Sequence, residues 1–101
     1  MSLEIKDLNS GQIFSIIGLE GKIVILKVDI KEQVVHFSYL KSNKILIYHI
    51  PISYKKFIIS IEGILGIGKI TNKQLLIIKE WEIDNGGVWD LTIKEVIEMT
   101  L

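Results

Sequence analysis

Short apolar runs, separated by polar or glycine-containing turns, recur about every ten residues in the first half of the chain. The runs are rich in isoleucine and valine, which favour strands, and the turns include Glu20-Gly21 and Lys31-Glu32. Such short connections predict an antiparallel meander. We expect Pro51 to end its last strand, because proline cannot donate to a strand ladder. The four predicted strands are Gln12–Gly18, Lys22–Asp29, Gln33–Leu40 and Lys44–Ile50.

The pattern becomes helical after Ser53, which is a candidate N-cap for a short helix over Tyr54–Ile61. Phe57, Ile58 and Ile61 can share one face of that helix. A glycine-rich segment then interrupts the chain. It predicts a connection between two helices.

A second helix is predicted over Lys73–Ile83, with Thr71 or Asn72 as its cap. The run Leu75-Leu76-Ile77-Ile78 is apolar nearly all round. Periodicity therefore does not separate a helix from a buried strand in this segment.

The last part of the chain begins with a turn signal at Asp84–Gly87, followed by a short predicted strand over Val88–Leu91. Thr92 and Glu95 fit a capping box, which predicts a helix over Thr92–Thr100. Strands first and helices later indicate one α+β domain over residues 1–101. Its expected architecture is an N-terminal antiparallel β-meander of about four strands, followed by two or three helices and a short strand.

The apolar content is sufficient for a core without covalent cross-links. Of the 101 residues 49% are apolar, 22 are isoleucine and none is cysteine, which excludes disulfides and thiolate metal ligands. No apolar run approaches the ~20 residues of a membrane span, and no targeting segment is recognisable. We therefore expect a cytoplasmic protein with no membrane contact. The apolar excess predicts an interface, with a partner or within a homodimer.

The charges argue against nucleic acid as a partner. The net charge is zero, and all twelve basic residues are lysines, whereas nucleic-acid-binding domains show a basic excess and use arginine for bidentate contacts. One patch interleaves aromatic and basic residues, Tyr54-Lys55-Lys56-Phe57, and is typical of a helix with one buried aromatic and solvated lysines.

The distribution of charge is more informative than its sum. Residues 1–79 hold eleven lysines and six acids, a balance of +5, and residues 80–101 hold one lysine and six acids, a balance of −5. The acidic segment either packs on the basic body or offers an acidic surface to a basic partner.

One segment matches a phosphate-binding loop in part. Gly63 to Lys69 fits G-x-x-x-x-G-K, but Ile70 stands where the hydroxyl residue that binds magnesium is required, and Thr71 comes one position late. The segment also follows a predicted helix rather than a buried strand. We therefore do not expect nucleotide binding.

The two histidines lie on neighbouring predicted strands. If Leu40 pairs with Ile45, the same antiparallel register places His36 opposite His49. Two facing imidazoles can bind a metal or act in acid–base chemistry, but a metal needs a further ligand and no acid lies nearby in sequence. Structural histidines are the expectation, with no metal site.

No residue pattern predicts catalysis or a cofactor. The serines lack the strand–turn–helix signature of a serine hydrolase. Glu80 and Glu82 do not share a helical face, and Glu95 and Glu98 form a pair that is ordinary on helix surfaces. We expect no catalytic residues and no bound cofactor.

Short segments between residues 11 and 90 occur in a defined order: Gly11-Gln12-Ile13-Phe14, Val35-His36-Phe37, His49-Ile50-Pro51-Ile52-Ser53 followed by Phe57, then Trp81 and Gly86-Gly87-Val88-Trp89. This order resembles a group of small uncharacterised bacterial proteins of the toxin-immunity type, including those of contact-dependent inhibition and polymorphic toxin systems. The resemblance implies stoichiometric inhibition of a toxin by binding, without catalytic residues. The acidic C-terminal region is compatible with covering a basic nuclease-type toxin.

These observations predict a non-catalytic protein-binding module, most specifically a cytoplasmic immunity protein that neutralises a cognate bacterial toxin. The alternatives are a structural homodimer of unknown role and a small metal or enzyme site that depends on His36 and His49. The residues expected to bind the partner combine acidic charge with the tryptophans that flank the turn at 84–87: Glu80, Trp81, Glu82, Asp84, Trp89 and Asp90.

Overall fold

One antiparallel sheet organises the computed structural model, which describes residues 4–41, 44–62, 68–69, 73 and 87–100. Its order across the sheet runs from the fourth strand back to the first and then to the fifth, so the first four strands form the predicted meander. The strands are β1 (Gln12–Ser15), β2 (Lys22–Asp29), β3 (Val34–Lys41), β4 (Lys44–Ser53) and β5 (Gly68–Lys69).

Two α-helices accompany the sheet in the described part of the chain: α1 (Tyr54–Ile58) and α2 (Ile93–Thr100). A single 3-10 turn over Ile5–Asp7 precedes them. The α+β class with an N-terminal meander is therefore confirmed. The predicted helix over Lys73–Ile83 lies outside the described residues except for Lys73. No helix among the described residues is long and apolar enough to cross a membrane.

Both helices begin at the predicted caps. The Ser53 hydroxyl accepts a hydrogen bond from the backbone N–H of Lys56 at 3.4 Å. Thr92 Oγ1 accepts from the N–H of Glu95 at 3.3 Å, and the Glu95 carboxylate accepts from the N–H of Thr92 at 3.1 Å, which completes a capping box. The Thr92 hydroxyl also donates to the Glu95 carboxylate at 2.8 Å, and this bond, followed by the bond from the Thr92 N–H, lowers the pKa of Glu95.

Two predicted elements end earlier than expected, because their ends pair with each other. β1 stops at Ser15 instead of Gly18, and α1 stops at Ile58 instead of Ile61. Ile16 and Ile61 form an antiparallel bridge instead. This bridge joins the end of the first strand to the end of the first helix.

The prediction that Pro51 ends the fourth strand was wrong, since β4 continues to Ser53. β4 is an edge strand, and the Pro51 carbonyl points outward, where it accepts from the N–H of Trp89 at 3.0 Å. The nitrogen of a strand residue lies on the same side as its carbonyl. The missing N–H of Pro51 therefore removes no bond to β3.

The predicted strand over Val88–Leu91 is reduced to a single parallel bridge between Trp89 and Ile52. Two hydrogen bonds hold it, the one to Pro51 and one from the N–H of Ser53 to the carbonyl of Trp89 at 3.3 Å. The segment therefore covers the end of β4 without adding a full strand to the sheet.

The two faces of the sheet carry separate hydrophobic clusters, because successive side chains in a strand point to opposite faces. Both helices pack on one face through Phe57 of α1 and Ile97 of α2, which are fully buried in one cluster with Phe37. The opposite face holds a second cluster, formed by Val24 and Leu26 with partly buried Ile13 and Leu40.

The glycine-rich segment, predicted to connect two helices, contains strand β5. Gly68 pairs with Ile13 and Lys69 with Gln12. In a phosphate-binding loop the lysine begins a helix, whereas Lys69 lies in a strand. Residues 63–67 and 70 lie outside the described residues.

Ser60 connects the two helices. Its hydroxyl donates to the carbonyl of Lys56 and accepts from the backbone N–H of Ile93 at 3.0 Å. Ile93 is the first residue of α2, so its N–H has no partner within its own helix. A side chain distant in sequence therefore satisfies the start of the C-terminal helix.

Replacing Ser60 by alanine is expected to lower the free energy of unfolding by about 1–3 kcal/mol, because the N–H of fully buried Ile93 loses its acceptor. Urea denaturation measures the change. Exposed Ser10 provides the control, since Ser10→Ala should alter stability by less than ~0.5 kcal/mol. Equal effects of the two substitutions would contradict the role of Ser60.

Candidate functional site

A groove of about 550 Å³ opens where the β2–β3 turn, the end of β4 and the segment at 87–88 meet. Alternate residues of each strand line it, so they share the face opposite the helices. Its lining consists of Asp29, Glu32, Gln33, Val34, His36, His49, Pro51, Ser53, Gly87 and Val88.

The β2–β3 turn places the acidic side of the groove. The Asp29 carboxylate accepts from the backbone N–H of Glu32 at 3.0 Å, which closes the turn. Gln33 follows with a φ of 57°, a left-handed conformation that redirects the chain into β3. The carbonyl of Gln33 then accepts from the N–H of Tyr54 at 2.8 Å, which fixes the turn to the start of α1.

The two histidines meet in this groove. His49 Nε2 lies 2.6 Å from His36 Nδ1, a hydrogen-bond distance, and the ring centroids are 4.7 Å apart. The predicted pairing of Leu40 with Ile45 is confirmed, but His36 lies opposite Pro51 rather than His49. The register shifts twice between these points, on either side of Tyr39. The two imidazoles therefore meet diagonally.

The hydrogen bond requires one ring to donate and the other to accept, so the pair does not hold two protons on the facing nitrogens. The pKa of His36 is lowered to about 4. Burial is the largest cause, the charges of His49 and Lys27 add to it, and the charge of Asp29 opposes it. His36 is therefore neutral at pH 7.

The free energy of unfolding should decrease in mild acid because of His36. An unfolded histidine binds its proton near pH 6.5, whereas folded His36 binds one only near pH 4. The unfolded state thus binds more protons between these values, and stability falls as the pH falls. We expect a loss of roughly 1–2 kcal/mol between pH 7.5 and 5, allowing for solvent screening of a partly exposed ring.

Urea denaturation at several pH values tests this expectation. His36→Gln should reduce the loss in that window, while all other titrating groups stay in place. His49→Gln removes one of the causes of the low pKa and should reduce the loss less. A pH profile of stability that is identical in the wild type and His36→Gln would rule the explanation out.

The histidine pair supplies two nitrogen ligands, and zinc sites in proteins have three or four protein ligands. Among the described residues, no group of three or more histidine, aspartate or glutamate side chains is arranged to hold a metal ion. The geometry of the pair is that of a shared hydrogen bond.

The charges of the groove differ from those of its surroundings. The described part of its lining contains two carboxylates, Asp29 and Glu32, and no lysine. Val34, Pro51 and Val88 supply apolar walls, and Val88 is 52% exposed. An acidic groove with apolar walls can accommodate a group that has an apolar stem and a positive end.

Two of the six residues predicted to bind a partner are described, and in the chain they follow Val88, which lines the groove. Trp89 is partly buried and packs against the main cluster. Asp90 is exposed, and its carboxylate lies 3.4 Å from the hydroxyl of Ser53, a lining residue. Glu80, Trp81, Glu82 and Asp84 lie outside the described residues.

Asp29, Glu32 and Val88 were not predicted as site residues. An aspartate that starts a turn is a local signal for Asp29, but its proximity to Val88 depends on the bridge between Trp89 and Ile52. The alternation of β3 and β4 was a usable signal for the histidines, since it places both opposite the apolar face.

Comparison with protein-family models, with curated proteins and with solved structures finds no match for this chain.

Proposed function

We propose that this chain is a protein-binding module without catalytic activity, most specifically a cytoplasmic immunity protein that neutralises a cognate toxin by stoichiometric binding. The observation that carries the proposal is the open groove next to Asp90, which combines acidic and exposed apolar residues. The resemblance described above supports the more specific form.

The composition of the groove suits protein recognition. Specific interfaces combine an apolar centre with a polar rim. Here Val88 and Pro51 supply apolar surface, while Asp29, Glu32 and Asp90 supply negative charge on or beside the groove. Residues 1–79 carry a balance of +5, so this acidic region is local. Its charge favours a basic partner.

Pull-down with the product of the neighbouring gene tests the proposal, followed by calorimetry to measure stoichiometry. We expect a one-to-one complex and suppression of the toxin's activity. Val88→Lys should weaken the complex at least about tenfold, because it places a positive charge in the contact surface. Met99→Lys is the matched control, because Met99 is 65% exposed and does not line the groove. A neighbour that is not a toxin, or no complex with it, would refute the immunity role.

The contact between His36 and His49 favours a second candidate, a metal or enzyme site that depends on both rings. The chain contains two histidines and no cysteine, so a metal bound through imidazole must use one or both of these rings. Metal analysis of the purified protein and zinc titration of the wild type and the His36→Ala/His49→Ala variant test this candidate. Equal zinc binding by the two proteins would remove it.

A further inference from the structure

We infer that the groove receives one basic side chain, a lysine or an arginine, that projects from the partner. The inference rests on the proposed function, since it assumes that the groove is a protein-binding surface. It adds the chemical identity of the group that enters the groove.

The described lining of the groove is acidic. Among the described residues that line the groove, Asp29 and Glu32 are the two that carry carboxylates, and none is a lysine. A carboxylate has about four lone-pair positions, so Asp29 retains acceptor capacity after its bond with the backbone of Glu32. An ammonium or guanidinium group has only donors and matches these acceptors.

His36, which lines the groove, is neutral at pH 7. His36 and His49 are held in one hydrogen bond at 2.6 Å, which is incompatible with a proton on both facing nitrogens. The low pKa of His36 keeps that ring uncharged at pH 7. His36 therefore does not cancel the charge of the two carboxylates. Lys27, opposite His36 on β2, does not line the groove.

The groove also contains apolar surface. Lysine and arginine bury their methylene stems on apolar surface and leave the charged end at polar groups. Val34, Pro51 and Val88 provide such surface within the same groove. The volume of about 550 Å³ lies within the range of small-ligand sites and leaves room for a long side chain.

Titration of the isotope-labelled chain with Nα-acetyl-lysine methylamide, followed by NMR, tests the inference. We expect saturable shifts at Asp29, His36, His49 and Val88, with a dissociation constant on the order of 1–10 mM for a single side chain. Added salt should weaken binding. Nα-acetyl-norleucine methylamide is the matched probe, because it has an apolar side chain of similar length without the charge. It should bind at least about tenfold more weakly.

The variant Asp29→Asn/Glu32→Gln separates charge from shape. Both side chains keep their size, and the asparagine can still accept from the backbone of residue 32. We expect at least about a tenfold loss of lysine binding. The control is Glu4→Gln/Glu62→Gln, which removes two exposed carboxylates that do not line the groove. Equal binding of the two probes, or unchanged binding by the groove variant, overturns the inference.

Failure of this inference is distinguishable from failure of the proposed function. A toxin complex that is insensitive to Asp29→Asn/Glu32→Gln, together with no lysine binding, overturns the inference and leaves the proposed function intact. Selective lysine binding without any toxin complex would overturn the proposed function and leave the inference intact.

Discussion

Replacing Gly21 by alanine is expected to lower the free energy of unfolding by about 2–4 kcal/mol. Gly21 has a φ of 108°, which side-chain-bearing residues rarely adopt. An added Cβ would lie 2.6 Å from both Cε1 and the hydroxyl oxygen of Tyr39. Tyr39 is 1% exposed, and its hydroxyl donates to the carbonyl of Glu20, so the ring cannot retreat cheaply.

Two other glycines separate backbone strain from contact with Tyr39 as causes of the lost stability. Gly87 has a φ of 80° but open space around its Cβ position, so Gly87→Ala should show only the backbone strain, about 1–2 kcal/mol. Gly68 has open space and no positive φ, so Gly68→Ala should have little effect. Chemical denaturation of all three variants gives the comparison. A loss for Gly21→Ala no larger than that for Gly87→Ala would show that contact with Tyr39 does not matter.

Replacing Phe57 by alanine is expected to cost about 3–5 kcal/mol, the largest effect proposed for this chain. Phe57 is fully buried and meets Phe14 edge-to-face, with ring centroids 5.8 Å apart and planes at 89°. It is the buried residue of α1, which has only five residues. So short a helix depends on tertiary packing for its stability. The substitution therefore loses both core volume and the attachment of α1 to the sheet.

Ile59, directly after α1, is the control for this prediction. It is 59% exposed, so Ile59→Ala should change stability by less than ~1 kcal/mol. Phe57→Leu should fall between the two, because it keeps apolar volume but loses the aromatic pair. Thermal and urea unfolding provide the measurements. Similar losses for Phe57→Ala and Ile59→Ala would be inconsistent with the packing described.

The sequence correctly predicted those elements that depend only on residues within them or next to them. β2 begins and ends at the predicted residues, because alternation and flanking turns define it. The caps at Ser53 and Thr92 were also predicted, since a capping hydroxyl acts within three residues of its own position. Errors appeared where distant segments decide the outcome. Ile16 leaves the first strand to pair with Ile61, and Pro51 is accommodated because β4 is an edge.

The candidate site was also predicted only in part from the sequence. The sequence placed His36 and His49 on neighbouring strands, but the diagonal contact results from two register shifts beside Tyr39. No local signal predicts such shifts, because they depend on how side chains pack across the sheet. The position of Val88 in the same groove as Asp29 depends on one bridge between residues far apart in the chain.

The sequence by itself determined the α+β class, the four meander strands and the helix starts at Ser53 and Thr92, because periodicity, turns and caps act over a few residues. The tertiary structure alone decided that His36 and His49 share a hydrogen bond. It also decided that Asp29, Glu32 and Val88 surround them in one groove. Long-range contacts bring these residues together, and their free energy depends on packing and burial that no short segment records.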